Sequence, residues 1–184
     1  MASALAMWHA EHVDYSRLLD VLEEELAAFH EGRSPNYGLM LDVVSYLRHF
    51  PDRFHHPRED AAFARLVERD LKLELPINRV LQEHRVIAAA GEELLKRLNE
   101  LVDGALIPRE TLEAAAAVYL VYYRHHLATE EREILPRAAK MLTPDDWRIV
   151  ASAVSSTPDP LFGAGFEERY RELRKRIAAK ANEA

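Results

Sequence analysis

His55-His56-Pro57-Arg58-Glu59 and His126-Leu127-Ala128-Thr129-Glu130 are the two stretches whose reading decides the fold. Each places a histidine four residues ahead of a glutamate. On a helix such a pair shares one face, with Cβ atoms about 5–6 Å apart, a spacing that suits two ligands to one metal ion. Each copy also follows a Glu-His pair, Glu11-His12 and Glu83-His84. The offsets are regular: 72 residues from His12 to His84, 71 from His55 to His126 and 71 from Glu59 to Glu130. The chain therefore reads as an internal duplication in which each half supplies a lone histidine and a His-x-x-x-Glu pair.

The apolar residues around these stretches place them on helices. A first helix, about Ser3 to Glu31, carries Leu5, Trp8, Tyr15, Leu19, Leu22 and Leu26 at helical steps, and His12 fills the gap in that stripe. Gly32 stops it. A second starts near Tyr37 or Gly38 with Leu41, Val44 and Leu47, then meets Pro51 and Pro57. Proline inside a helix removes a hydrogen bond, so a bend or break is predicted around His55. Residues Glu68 to Leu75 read as a connection, with Pro76 as the first residue of a third helix. That helix carries Ile77, Val80, Ile87, Leu94 and Leu98, and His84 again fills the gap. A fourth opens after Pro108 and runs through Tyr119, Tyr122, His126 and Glu130, with a kink predicted at Pro136.

Four long helices with short connections predict an all-α, up-and-down four-helix bundle. Two extra C-terminal helices follow: one capped by Thr143 and reaching about Ser155, the other about Gly165 to Lys180. The expected division is a metal-binding bundle over residues 1–142 and a helical extension over 143–184 packed on it, available for contacts in a homodimer.

Composition narrows the function. The 184 residues carry a net charge of −7 and no basic stripe, which argues against nucleic acid as a partner. The absence of cysteine excludes thiolate catalysis, Fe–S clusters and Cys-type zinc sites. The N-terminal stretch does not read as a signal peptide, and no apolar run reaches membrane-spanning length. A cytoplasmic protein without membrane partners is the expectation.

The buried stripe carries the chemistry. Four histidines and two glutamates project toward one interior, and an unpaired buried carboxylate costs several kcal/mol or becomes protonated. A cation resolves that. A lone His-x-x-x-Glu is most often a surface pair, but two copies at one offset, each with a histidine inside a core stripe, are far more specific. The predicted metal ligands are His12, His55, Glu59, His84, His126 and Glu130. Two metals are expected, each held by two histidines with the carboxylates between them. Imidazole and carboxylate suit iron, with zinc or manganese as substitutes. His56 and Asp60 form a competing pair four residues apart, but alignment with the second copy favours His55 and Glu59. His56 and Tyr122 are the candidates to touch and support the ligands. His9, His30, His49 and His125 read as solvent-facing or supporting, and Glu11, Glu83 and Glu131 as solvated.

The set His12, His55-x-x-x-Glu59, His84 and His126-x-x-x-Glu130 resembles the hemerythrin-like, or HHE cation-binding, domain. The resemblance covers about residues 5 to 142. The string from His55 to Phe63 is similar to the bacterial branch, and Asp159-Pro160-Leu161-Phe162-Gly163 to an extension of unknown purpose in that branch. The resemblance implies a bundle around two iron ions, oxo- or hydroxo-bridged, with bridging carboxylates. It also implies a protein that carries or senses O2, responds to NO, redox or iron status, or handles peroxide. Oxygen carriers have a further histidine where this chain has Ala88, and an aspartate spaced differently from Glu130. That departure points away from oxygen carriage and toward sensing, iron handling, or an enzyme with peroxidase-like or NO-reducing activity. A signal would leave through a protein partner.

Overall fold

Gly32 and Gly104 mark the two reversals at one end of the molecule. Both adopt positive φ (+75° and +85°), a conformation open to glycine without a Cβ penalty, and both terminate long helices. The structure, a computed structural model, describes residues 2–154, 157–163 and 167–181. Helix α1 spans Ala2–His30, α2 Tyr37–Phe50, α3 His56–Arg69, α4 Glu74–Val102 and α5 Arg109–Thr129. Helix α6 spans Leu135–Met141, α7 Pro144–Ala153 and α8 Arg171–Ala181. The Asn36 side chain accepts from Leu39 N–H at 3.0 Å and starts α2.

Four rods form the bundle: α1, α2 with α3, α4, and α5 with α6. Contacts join α1 to α2, α2 to α4, α4 to α5 and α5 back to α1, so each rod lies beside its sequence neighbours in an up-and-down ring. The fold is all-α with extra C-terminal helices, as the sequence predicts. Helix α4 starts at Glu74 after a 3₁₀ turn, Leu71–Leu73, two residues before the predicted start at Pro76.

The prolines of the second and fourth rods do not break them. Each rod instead widens into a π turn, Pro51–His55 and Glu130–Ile134. In each, the residue before a proline donates five residues back: His56 N–H to Pro51 O before Pro57, and Leu135 N–H to Glu130 O before Pro136. The missing proline N–H is thus absorbed by a wider hydrogen-bonded ring rather than by a break. The buried positions show the widening directly. His126, Glu130, Ile134 and Ala138 are all buried at unbroken steps of four, which a turn of 3.6 residues would carry off one face.

Helix α7 opens with a capping box between Thr143 and Asp146 and packs on α3, where Asp146 accepts from Arg65 Nε at 2.9 Å and Arg69 Nη2 at 2.7 Å. Helix α8 packs on α1 and α2 through buried Leu173 and Ile177. The predicted end of the first extra helix at Ser155 and start of the second at Gly165 lie outside the described residues. Within the described residues these helices span Pro144–Ala153 and Arg171–Ala181.

The interior holds two apolar clusters. One contains Trp8, Phe63, Leu66, Val80, Ile134 and Trp147; the other contains Tyr15, Leu47, Phe50, Ile87, Tyr119 and Tyr123. His12, His55, His84 and His126 fall between members of the two clusters along their rods. A buried polar layer therefore lies between two apolar ones.

Candidate metal centre

Each rod delivers its donors at the level of this layer. Helix α1 brings His12, the second rod His55, His56 and Glu59, α4 His84, and the fourth rod His126 and Glu130. All seven are buried, and His55, Glu59, His126 and Glu130 are wholly so. The π turn beside His55 turns two consecutive imidazoles inward, since the wider ring shifts the register of the helix at that point.

Two groups of donors result. His12, His55 and Glu59 form one; His56, His84, His126 and Glu59 form the other, and within each group the donor atoms lie within 4.8 Å of one another. His12 Nε2 is 3.3 Å from Glu59 Oε1 and 3.6 Å from Glu130 Oε2. Across the layer, His84 Nε2 is 3.8 Å from Glu59 Oε2 and 3.5 Å from Glu130 Oε1. Glu59 thus turns one oxygen toward each group, whereas Glu130 faces both with Oε2 shared between His12 and His126. His126 Nε2 stands 3.2 Å from Glu130 Oε2, and the rings of His56 and His84 stack with centroids 4.2 Å apart.

The outer nitrogens of the rings meet a second ring of carboxylates. His12 Nδ1 bonds Glu131 at 2.8 Å, His55 Nδ1 bonds Glu11 at 2.6 Å and His84 Nδ1 bonds Asp60 at 2.9 Å. His56 Nδ1 is 3.1 Å from Asp52, and His126 Nδ1 is 3.5 Å from Glu83. A carboxylate on Nδ1 holds the proton there and turns the Nε2 lone pair inward, the arrangement that orients imidazole toward a metal. Several of these acids are themselves held: Arg58 Nη2 donates to Glu11 at 3.0 Å, Arg48 pairs with Asp52, and exposed His9 bonds Glu131 at 3.1 Å.

The electrostatics follow from this layering. Burial works against the Glu59 carboxylate, but the imidazoles of His55 and His12 outweigh it and hold Glu59 well below the usual range. Burial likewise opposes charge on His12 and His84, yet the carboxylates around them lift both to about 10. His56 differs: burial and the neighbouring imidazoles of His84, His126 and His55 push it well below its ordinary value.

The structure brings together all six residues that the spacing singles out and adds a seventh, His56. Expected to support the ligands rather than to be one, His56 is buried and turns Nε2 inward, so the imidazoles number five rather than four. The competing partner Asp60 serves His84 instead. Glu11, Glu83 and Glu131 are not free solvated acids: they sit behind His55, His126 and His12. The signal for this was in the sequence, because each stands one residue from a ligand histidine or glutamate. Tyr122 is corrected too. It is 42% exposed, whereas Tyr123 is fully buried with its ring 6.5 Å from His126. The buried stripe of this rod steps through Ala116, Tyr119, Tyr123, His126 and Glu130, alternating three and four, and Tyr122 lies off it.

This donor set fits a cation. Glu59 and Glu130 have no hydrogen-bond partner on any carboxylate oxygen, and the inward Nε2 atoms of His56, His84 and His126 have none either. His12 and His55 bring their Nε2 atoms to 2.9 Å while both Nδ1 atoms engage carboxylates. At that distance either a proton or a cation lies between the two nitrogens, and a metal ion would take the place of that proton. Buried oxygen and nitrogen acceptors in this number are stable only around a positive charge.

An antiparallel four-helix bundle with a buried histidine–carboxylate cluster defines a metal-binding protein of the hemerythrin type. The chain belongs to the Hemerythrin HHE cation binding domain family, which it matches over residues 3–138. No curated protein and no solved structure matches it. Among the described residues, no helix is long and apolar enough to cross a membrane.

Proposed function

We propose that the chain is a non-haem di-iron protein whose buried centre binds a small oxidising or diatomic ligand, O2, NO or peroxide, and responds through it to oxygen, redox or iron status. The observation that carries this reading is the pair of carboxylates, Glu59 and Glu130, placed between two groups of imidazoles. Three histidines serve one side and two the other, so an ion beside His12 and His55 has fewer protein donors. Sulfur-free imidazole and carboxylate donors favour iron among redox metals, with manganese or zinc able to substitute. Iron there would supply reversible redox chemistry and a Lewis-acidic position for the ligand. The chain's own part is to exclude bulk water with the two apolar clusters and to hold each imidazole from behind with a carboxylate. A surface cavity of about 410 Å³ borders His12 and Glu131 and is lined also by Val13, Ser16 and Leu127, giving a small ligand a short path to the two-histidine side.

The experiment is metal content per chain on anaerobically purified protein, then an optical spectrum before and after O2 or NO. About two irons per chain and a ligand-dependent absorption band are expected. His126→Ala, checked for retained helicity, should lose metal; unchanged iron content in that variant, or one spectroscopically silent zinc in the parent, sinks the reading.

A second reading, peroxide turnover, is favoured by one observation: the ring of Tyr15 packs edge-on against His55 with centroids 5.1 Å apart. An oxidisable ring against a ligand of the two-histidine side suits a centre that handles strong oxidants. Steady-state peroxide consumption above that of free iron is its measurement, and a rate no faster than free iron counts against it.

A further inference from the structure

Among the described residues Tyr46, on α2, is the one buried oxidisable side chain near the centre whose hydroxyl is provided with a proton acceptor. Its hydroxyl donates to Asp159 Oδ2 at 2.7 Å. The hydroxyls of Tyr15, Tyr119 and Tyr123 and the indole N–H groups of Trp8 and Trp147 are equally buried, and none has a hydrogen-bond partner. That difference decides where an oxidising equivalent comes to rest. One-electron oxidation of a phenol makes its O–H strongly acidic. In an apolar interior the proton must leave along an existing hydrogen bond, or the ring must carry an unsolvated charge.

Asp159 is built for the role by its own loop. Oδ1 accepts from Leu161 N–H at 2.7 Å and Phe162 N–H at 2.8 Å, which leaves Oδ2 to face Tyr46. The turn closes with Gly163 N–H on Asp159 O at 3.1 Å, and a Cβ at Gly163 would stand 2.7 Å from that same oxygen. The string Asp159-Pro160-Leu161-Phe162-Gly163 is therefore a holder for one carboxylate aimed at one buried phenol. Aromatic rings connect this pair in both directions. Toward the centre, Tyr46 is 6.4 Å from Tyr15, which is 5.1 Å from His55; outward, Tyr46 is 5.8 Å from Tyr170, whose ring lies 4.7 Å from the Arg169 guanidinium.

We propose that Tyr46 and Asp159 form a redox relay that drains oxidising equivalents from the metal centre when it meets a hydroperoxide. The proposal rests on the di-iron reading for its source of oxidant. The step balances simply. Iron held at the centre, once oxidised by the hydroperoxide, would take one electron from Tyr46 by way of Tyr15. The phenolic O–H bond breaks, its proton goes to Asp159 Oδ2, and a neutral tyrosyl radical with a protonated Asp159 remains. A reductant reaching the Tyr170 edge restores the phenol.

The test uses the full chain, with iron content verified first. Iron-loaded protein is mixed with hydrogen peroxide, freeze-quenched and read by electron paramagnetic resonance. A neutral tyrosyl signal is expected in the parent. It should be lost in Tyr46→Phe and reduced about tenfold or more in Asp159→Asn, whose amide cannot take the proton. Its formation should slow in deuterated water, a response that a purely structural Tyr46–Asp159 tether would not give. Circular dichroism confirms that both variants fold. The metal-free protein, oxidised by a photogenerated ruthenium(III) polypyridyl complex, supplies an arm independent of iron, where the same Tyr46-dependent signal is expected. A verified di-iron sample that yields no tyrosyl radical overturns the relay and leaves the di-iron reading intact. A signal of undiminished size in Tyr46→Phe also overturns it. Should the parent hold no iron, the di-iron reading fails, and the ruthenium arm alone decides whether Tyr46 traps the radical.

Discussion

The two sides of the metal centre are built from the same parts and are not equal. On one side stand His12 and His55, from two rods; on the other stand His56, His84 and His126, from three. The same two carboxylates serve both. The difference comes from one residue, His56, which the second rod turns inward beside its π turn and for which the fourth rod has no counterpart. The two rods that carry His-x-x-x-Glu widen at different places: Pro51–His55 ends at the histidine, whereas Glu130–Ile134 begins at the glutamate. Widening before the pair brings in a second imidazole; widening after it brings in Ile134, an apolar side chain. A duplicated sequence thus yields an asymmetric site, saturated with nitrogen donors on one side and open on the other.

The largest test of that asymmetry removes what is shared. Glu59→Ala takes a carboxylate from both sides at once, and metal content should fall from about two ions per chain toward zero. The single-sided variants then separate the halves. His55→Ala should leave the ion on the three-histidine side, with about one metal per chain and no response to O2 or NO. His56→Ala should weaken the opposite ion and keep the ligand-dependent band. Identical metal loss in His55→Ala and His56→Ala, read by elemental analysis, would break the two-sided description.

A smaller effect is expected one layer out. Glu11 supports His55 at 2.6 Å and is itself gripped by Arg58, whereas Glu83 approaches His126 only to 3.5 Å. Removing a carboxylate behind a ligand histidine lowers metal affinity by about 10- to 100-fold. Glu11→Gln should reach that range, and Glu83→Gln should fall short of it. Competition with a chelator measures both. Equal losses would mean that the second ring of carboxylates acts through net charge and not through the hydrogen bonds.

These contrasts also show how far the sequence could be read. Equal offsets between His12 and His84 and between the two His-x-x-x-Glu pairs were enough to place four helices and six inward donors, because helical periodicity is a local property. His56 was hidden because a regular helix cannot turn His55 and His56 equally to one interior, and the π turn that does so is a cooperative answer to Pro57 and the packing around it. Prolines promised a break; the unbroken steps of four from His126 to Ala138 were the available signal that the helix would widen instead. Tyr122 and Tyr123 differ by one position, and only the alternation of steps on the buried stripe separates them. Asp159 lies 113 residues from Tyr46, and no periodicity links a loop to a helix across that separation.

The smallest effect belongs to the metal-free protein and separates the sides by pH. His12 and His84 are lifted in the folded chain from 6.5 to about 10, because carboxylates surround their imidazolium forms. A raised folded value adds stability that is present in full below the unfolded value, near 6.5, and is lost as pH rises through about 10. His56, on the three-histidine side only, has the opposite sign: burial and like-charged neighbours lower it, so its contribution is present above about 6.5 and is lost as pH falls. Metal-free protein should therefore melt highest near neutral pH and lower on both flanks. Removing His56 in His56→Ala should flatten the acid flank down to about pH 4.5, below which Glu59 still loses its stabilising charge, and leave the alkaline flank in place. Metal binding requires the lone pairs that the protons on His12 and His84 occupy, so uptake should release protons and erase the alkaline flank. Melting curves across this range, with and without iron, check each part. An alkaline flank that survives iron loading would mean that His12 and His84 keep their protons and do not hold the metal.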